Sequence, residues 1–388
     1  MHRIRVNPRN DWRERLEEIN FHWHSPGGEK YWTEDAAWVF SLNEIERDIE
    51  APTAEIEAMC LEVVRRTVVD EQLLRQLSIP EGQWQFIADS WKRSDRNLYG
   101  RLDLAYSGNG PAKLLEYNAD TPTSLVETSV AQWMWLEDGH KSGALPAGTD
   151  QYNSVHEKLI NAFKHLRNGR HYQLHLAQSA EAPEDEGTVD YLQECARQAG
   201  ITTHRVEMQD IALMSDGNFA DARNRRIEVL FKLYPWEWMF REAYSVALAG
   251  ARLQFIEPPW KAILSNKGLL PLLWDMAPGH PNLLRCYFSD NPRKASLGSK
   301  YVEKPLFSRE GANITLHTKQ GALEATTGPY AGERTIVQEF ASLASGEGGH
   351  MVVGSWLVAS EPAGMGLRED NSLITKDTAR FIPHVILD

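Results

Sequence analysis

The chain has 388 residues, and its 41 Lys and Arg against 54 Asp and Glu leave a net charge of −13. Hydrophobic residues make up 42% and charged residues 24%, the proportions of a globular protein of two or three domains. So acidic a surface repels phosphate backbones, and no apolar run reaches the roughly 18 residues that span a bilayer, which argues against a nucleic-acid partner and against a membrane protein. Met1 to Pro8 carry Arg3 and Arg5 with no apolar stretch behind them, unlike a signal peptide. Cys60, Cys195 and Cys286 are too few and too dispersed for a disulfide framework or a cysteine-based zinc site. The expectation is a cytoplasmic enzyme.

Residues 11–75 read mainly as helical. Leu42, Ile45, Ile49, Ile56 and Met59 share one helix face, with Glu44, Glu46, Arg47, Asp48 and Glu50 between them. Pro52 is expected to break this segment and Thr53 to cap its second half. Asn97 to Tyr106 alternates as a half-buried strand does, Ser107-Gly108-Asn109-Gly110-Pro111 is a turn cluster, and Lys113 to Asn118 resumes the alternation, which predicts a hairpin. Tyr172–Ala177, Val189–Ala199 and Thr202–Met208 read as strand, helix and strand, a βαβ unit that implies a parallel sheet. Ile227–Lys232 adds a strand. Beyond 300, short strands are expected at Tyr301–Pro305, Ala312–His317, Thr335–Phe340 and Met351–Val358. Gly321–Gly332 and Gly346–Gly349 are expected as exposed loops.

Several chemistries are missing from the sequence. It has no phosphate loop of the Gly-x4-Gly-Lys-Ser/Thr type, no Gly-x-Gly-x-x-Gly turn and no Gly-x-Ser-x-Gly elbow. His171-x3-His175 has the spacing of a zinc helix, but Tyr172 stands where a metalloprotease needs Glu and the segment reads as a strand. His22-x-His24 lacks a third ligand.

The hairpin is more informative. With the turn centred between Asn109 and Gly110, paired positions sum to about 219, so Asp103 sits opposite Glu116 and Arg101 opposite Asn118. One face then shows two carboxylates, an amide and a guanidinium. Facing carboxylates repel unless a cation lies between them, and oxygen ligands of this kind suit Mg²⁺ beside a phosphate, with Arg101 turned to a transferring phosphoryl group. A solvated strand face on which Arg101 neutralises the acids remains the alternative from the hairpin alone.

Leu115-Glu116-Tyr117-Asn118-Ala119-Asp120-Thr121-Pro122-Thr123-Ser124-Leu125, preceded by Arg101-Leu102-Asp103, resembles the synthetase domain of glutathionylspermidine synthase, a family of ATP-grasp ligases. Asn266-Lys267-Gly268-Leu269-Leu270-Pro271, Lys304-Pro305 with Gly311, Gly354-Ser355-Trp356-Leu357, Gly364 to Asp370 and Arg380 to His384 extend the likeness over nearly the whole chain in one order. The resemblance implies an α/β ATP-grasp fold over 1–388, with a smaller α/β substrate-side unit inserted at 130–255. It implies an acid–amine ligase that uses ATP and Mg²⁺ to join a small-molecule or peptide carboxylic acid to an amine, glutathione and a polyamine being the family's pair. By position, Arg101 would stabilise the transition state and Arg101, Leu102 and Asp103 would lie at the nucleotide. Asp103, Glu116 and Asn118 would bind magnesium. Lys267 and Lys304 would reach ATP phosphates, Gly311 would lie in a mobile loop, Gln338 would face adenine and Leu373 would make an apolar nucleotide contact. Arg368 would serve the phosphoryl and substrate end, and Thr121, Thr123 and Ser124 would approach the acid. No part of the chain is left for the amidase that often accompanies this family, so Cys60, Cys195 and Cys286 are given no catalytic role. Two other classes stay open: an ATP-binding sensor or partner subunit of the same fold, and a carbohydrate binder using some of the 13 Trp.

Overall fold

The helical periodicity near the N-terminus is present in the computed structural model, but Pro52 does not end the helix. The structure describes residues 1–167, 172–179 and 183–387, so His171 lies outside the described residues. Leu42–Glu44, a π-helical stretch Ile45–Glu50 and the helix Ala51–Thr67 (α1) follow one another without interruption. The wide π turn ahead of Pro52 accommodates both its ring and its missing donor. Thr53 is not a cap, since its hydroxyl donates to the Ile49 carbonyl (2.6 Å) and meets Ser355 Oγ at 2.7 Å. Ile45, Ile49 and Ile56 are buried and Met59 half-buried, whereas Leu42 is exposed. The first forty residues are less helical than expected. They hold a strand at Ala36–Phe40, which lies between His2–Arg5 and His384–Ile386 in a small sheet.

The predicted hairpin is Tyr99–Ala105 (β1) and Lys113–Asn118 (β2). The predicted parallel unit is Gln173–Gln178 (β3), Pro183–Gln198 (α2) and Thr202–Glu207 (β4), joined by Val229–Leu233 (β5) and Gln254–Ile256 (β6) in the order β6-β5-β3-β4, with every pair parallel. The chain goes from β3 to β4 on one side and to β5 on the other. A crevice therefore opens at the carboxyl ends of β3 and β5, where ligands of open parallel sheets bind.

A third sheet is antiparallel, with Cys286–Phe288 (β7), Tyr301–Pro305 (β8), Thr315–Thr318 (β9), Gly321–Ala325 (β10) and Thr335–Glu339 (β11) in the order β7-β11-β8-β9-β10. Strand β10 corrects the expectation of a loop across 321–332. It is an exposed edge strand, so its residues lack the alternating apolar pattern that would have revealed it. Finally Gly349–Val358 (β12), Glu361–Asp370 (β13) and Arg380–Ile382 (β14) join the hairpin in the order β14-β13-β12-β1-β2. This makes β1 a central strand buried on both faces, not half-buried. Among the described residues no helix is long and apolar enough to cross a membrane.

Candidate active site

The hairpin register is the one the turn dictates. Arg101 pairs with Asn118 and Asp103 with Glu116, after which a bulge between Asp103 and Leu104 shifts the ladder by one residue. Arg101 and Asp103 are 4% and 3% exposed, so this part of the face is not solvated, although Arg101 does pair with Asp103 as the alternative expected. Arg101 grips Asp103 through Nε (2.7 Å) and Nη2 (3.2 Å), and Nη1 donates to the Thr123 carbonyl at 2.5 Å. Arg368 of β13 adds a second guanidinium, its Nη2 donating to Asp103 Oδ2 at 2.6 Å. Glycine at 354, opposite Asp103 on β12, leaves room for this arrangement, because a Cβ there would lie 2.7 Å from Arg101 Cδ. Leu102, between the two polar residues, points to the opposite face and is buried in the core, so its side chain does not reach the site.

Two lysines meet Glu116 and the hairpin backbone. Lys267 Nζ lies 3.0 Å from Glu116 Oε2 and 2.5 Å from the Ser308 carbonyl. The Asn266-Lys267-Gly268 turn is buried: Asn266 accepts from the Gly268 N–H (2.8 Å) and donates to the Leu77 carbonyl (2.7 Å). Lys304 of β8 donates to the Leu115 carbonyl (3.0 Å) and to Gln338 Oε1 (2.8 Å), while Gln338 Nε2 donates to the Leu114 carbonyl (3.0 Å). Two residues of the third sheet are thus tied to the backbone of β2. Burial would raise the Glu116 carboxyl, but Lys267 and Lys304 overcome it and hold the group well below the usual carboxylate range. Burial lowers Lys304 to about 8, with Glu116 opposing and Lys267 reinforcing the shift.

These groups open into a cavity of about 200 Å³ between the hairpin and the third sheet. Arg101, Asp103, Glu116, Asn118, Lys304, Gln338 and Arg368 line it, as do Gly311, Leu373, Thr121, Thr123 and Ser124. Lys267 borders a smaller adjoining pocket. One end is apolar, with Val302, Ile314, Leu316, Leu343 and Leu373. Gly311 has φ +71°, and a Cβ there would meet the Thr375 carbonyl oxygen at 2.6 Å, so the 306–313 loop can lie this close only with glycine.

The hairpin face fits a hard cation. Asn118 Nδ2 reaches both carboxylates, at 3.1 Å from Asp103 Oδ2 and 3.3 Å from Glu116 Oε1, so a donor already stands between two anions. Turning this amide over would present its oxygen as a third ligand. Among the described residues no group of three or more His, Cys, Asp or Glu side chains is gathered to hold a metal, which leaves this mixed set of two acids and an amide. His24 contacts Ser25 (2.9 Å) and Glu17 (3.7 Å), and buried His175 lies 3.5 Å from Asp221.

The other end of the cavity is acidic. The Tyr31 hydroxyl donates to Glu127 Oε1 (2.8 Å) and lies 3.3 Å from Ser124 Oγ. Glu184, in the first turn of α2 at the crevice of the parallel sheet, accepts from the Ser124 N–H at 3.3 Å. Burial, then Glu127 and Asp185, push Glu184 up to about 8, and burial followed by Glu310 pushes Asp185 up to about 6. Arg309 lies across this end, donating to Thr121 Oγ1 (2.7 Å) and to Glu237 Oε1 (2.7 and 3.1 Å). Tyr31, Glu127, Glu184 and Arg309 were not found by sequence reasoning. The acids at the start of α2 look like ordinary first-turn residues, and Tyr31 comes from a distant segment. The Trp residues form no common platform: Trp32, Trp236 and Trp356 are fully buried, while Trp133 and Trp238 are exposed on separate helices.

Two antiparallel sheets closing on a cavity of lysines, arginines and paired acids, with a parallel sheet at its far end, define an ATP-grasp protein. The solved structure of a glutathione synthetase-like effector from Globodera pallida matches this architecture, with a TM-score of 0.56, 10% identity, and 98% of this chain and all of that one covered. The family profile described as glutathionylspermidine synthase preATP-grasp matches residues 3–387, and the chain belongs to that family. A Haemophilus influenzae protein provisionally named acid–amine ligase is 40% identical over 93% of this chain and 92% of its own length. Trypanothione synthetase of Crithidia fasciculata is 29% identical over 81% of the chain, and the bifunctional glutathionylspermidine synthetase/amidase of Escherichia coli is 26% identical over 88%. The chain spans 51% and 58% of these last two proteins.

Proposed function

We propose that the protein is an ATP-dependent carbon–nitrogen ligase that joins a carboxylic acid to an amine through an acyl phosphate. The observation that carries this reading is Asp103, held by Arg101 and Arg368 and facing Glu116 in the cavity that also contains Lys304. The apolar end, with Gln338 at its edge, suits the adenine ring, and Lys267 and Lys304 suit the phosphates. Asp103, Glu116 and Asn118 would hold Mg²⁺, which when bound neutralises phosphate oxygens.

A carboxylate oxygen of the acid attacks the γ-phosphorus, the bond to the bridging oxygen breaks, and ADP leaves an acyl phosphate behind. Arg101 and Arg368 are the cations placed to meet charge on the transferring group. The amine nitrogen, in its neutral form, then attacks the acyl carbon, the bond to phosphate breaks, and the nitrogen gives its proton to the departing phosphate or to water. Thr121, Thr123 and Ser124 lie between the arginines and the acidic end, where an acid substrate joins the two halves of the reaction. Glu127, Glu184 and Asp185 gather at that end; burial and like-charged neighbours favour their protonated forms, and a cationic amine bound there would draw out their charge. Family membership and this cluster of carboxyls make a glutathione-like peptide and a polyamine the first pair to test.

The test is a matrix of acids and amines incubated with MgATP, with amide product read by mass and ADP by a coupled assay. Amide formed in step with ADP is expected for at least one pair. ATP binding with no acid-stimulated ADP release would replace the ligase by a nucleotide-binding protein of the same fold.

A further inference from the structure

Four charges are buried at the open end of the hairpin, outside the lining of the larger cavity, with Asp120 bordering the smaller pocket beside Lys267. Asp120, Lys232, Glu257 and Lys261 have no exposed surface. Two positions beyond the Arg101–Asn118 pair, Tyr99 stands on one strand and Asp120 follows the other. The Lys261 ammonium donates to the Tyr99 carbonyl (2.6 Å) and lies 3.0 Å from Glu257, whose carboxylate accepts from the N–H groups of Leu98 (3.1 Å) and Tyr99 (3.0 Å). The Lys232 ammonium donates to Asp120 Oδ1 (2.7 Å) and to the Tyr234 carbonyl (2.9 Å), over the Trp236 ring at 4.2 Å from its centroid. Asp120 Oδ2 accepts from the Trp236 N–H at 2.8 Å. One pair therefore holds the entry to β1, and the other holds the exit from β2.

Buried ion pairs are poor devices for stability, because desolvation offsets most of their attraction, and in some proteins they serve instead to fix one geometry. The geometry fixed here matters for the reaction. Asp120 is two residues after Asn118 and immediately before Thr121, so it joins the end of the hairpin bearing the paired acids to the loop placed for the acid. Lys232 is on β5, opposite Ala177 of β3, and so belongs to the parallel sheet that carries Glu184 at its crevice.

We propose that Lys232 is a positioning residue, which through Asp120 sets the 121–124 loop and the parallel sheet at one distance from Arg101 and Asp103, and so governs use of the acid rather than of ATP. This rests on the ligase reading for its kinetic consequence, but the placement of the loop can be read without turnover.

The variants are Lys232→Met, which keeps the length of the side chain, and the double variant Asp120→Asn with Lys232→Met, which leaves no lone charge. Hydrogen–deuterium exchange on the unliganded full chain should speed up at least tenfold across residues 119–124 in Lys232→Met and stay unchanged across 267–276. The KM for the acid, with glutathione tried first, should rise at least tenfold while the KM for ATP stays within twofold. The double variant should recover most of any loss in Tm yet keep the fast exchange and the raised acid KM. Recovery of exchange and acid KM together with Tm would overturn the proposal and make the pair purely structural. An equal rise in both KM values, or unchanged exchange, would overturn it too. If Lys232→Met does not fold, the double variant carries the same comparison against wild type. Absence of acid-stimulated ADP release in wild type defeats the ligase reading instead, and the exchange data still decide whether the pair sets the loop.

Discussion

Lys304 is a cation in a site that does not favour cations, and its charge should govern nucleotide affinity. Its ammonium is held at about 8 by burial, against the pull of Glu116. Phosphates favour the charged form, so binding above pH 8 requires proton uptake. MgATP affinity should therefore be flat below pH 8 and fall by up to tenfold per unit above it, and Glu116→Gln should move the onset to lower pH. Calorimetric titration in two buffers of different ionisation enthalpy reads the proton directly; equal heats at pH 9 would sink the idea. Glu184 shows the opposite case. Its folded value of about 8 lies above the ordinary carboxyl value of 4.5, so the stability it contributes is full below about 4.5 and is lost as pH rises through 8. Glu184→Gln should leave Tm unchanged near pH 4 and raise it near pH 8.5, by at least ~1 kcal/mol or a few degrees. A variant less stable than wild type at pH 8.5 would reject the burial argument.

At the scale of elements, β12 is shaped around an arginine that it does not carry. A methyl group at 354 would push Arg101 away from Asp103, because the arginine side chain is the part able to move. Gly354→Ala should lower turnover at least tenfold while costing only about 1–2 kcal/mol of stability, the scale of mild overpacking; turnover and melting curves compared on one preparation would check it. The same neighbourhood shows what the sequence discloses. Opposition of Asp103 and Glu116 follows from strand arithmetic around a glycine turn, because antiparallel pairing is local. The π turn before Pro52 was not legible, since it depends on how α1 is held by residues such as Ser355. Strand β10 was missed because an exposed edge has no core face to impose a pattern. Lys267 and Lys304 are ordinary lysines in isolation; only the shared order of motifs marked them. Glu184 and Tyr31 reach the site through the parallel sheet and the N-terminal segment, a long-range placement that local periodicity does not encode.

At the scale of the whole molecule, Arg309 joins three separate parts of the chain. It sits in the 306–313 loop, donates to Thr121 beyond the hairpin, and grips Glu237, in the connection between β5 and β6 of the parallel sheet. Its side chain, 26% exposed, covers the end of the cavity where acid and amine would meet. An acyl phosphate formed there is exposed to water unless that end stays shut until the amine attacks. Removing the latch should spare ATP binding, because the lysines and the apolar end are untouched, and should waste the intermediate. Arg309→Ala is therefore expected to change the stoichiometry more than the rate, with ADP formed per amide rising from near one to several. The measurement is ADP and amide counted in the same reaction with the best pair from the substrate matrix. The loop should also become more open to proteolytic cleavage between 306 and 313. A variant that keeps the wild-type ratio of ADP to amide, even with slower turnover, would show that the contact between Arg309, Thr121 and Glu237 does not guard the intermediate.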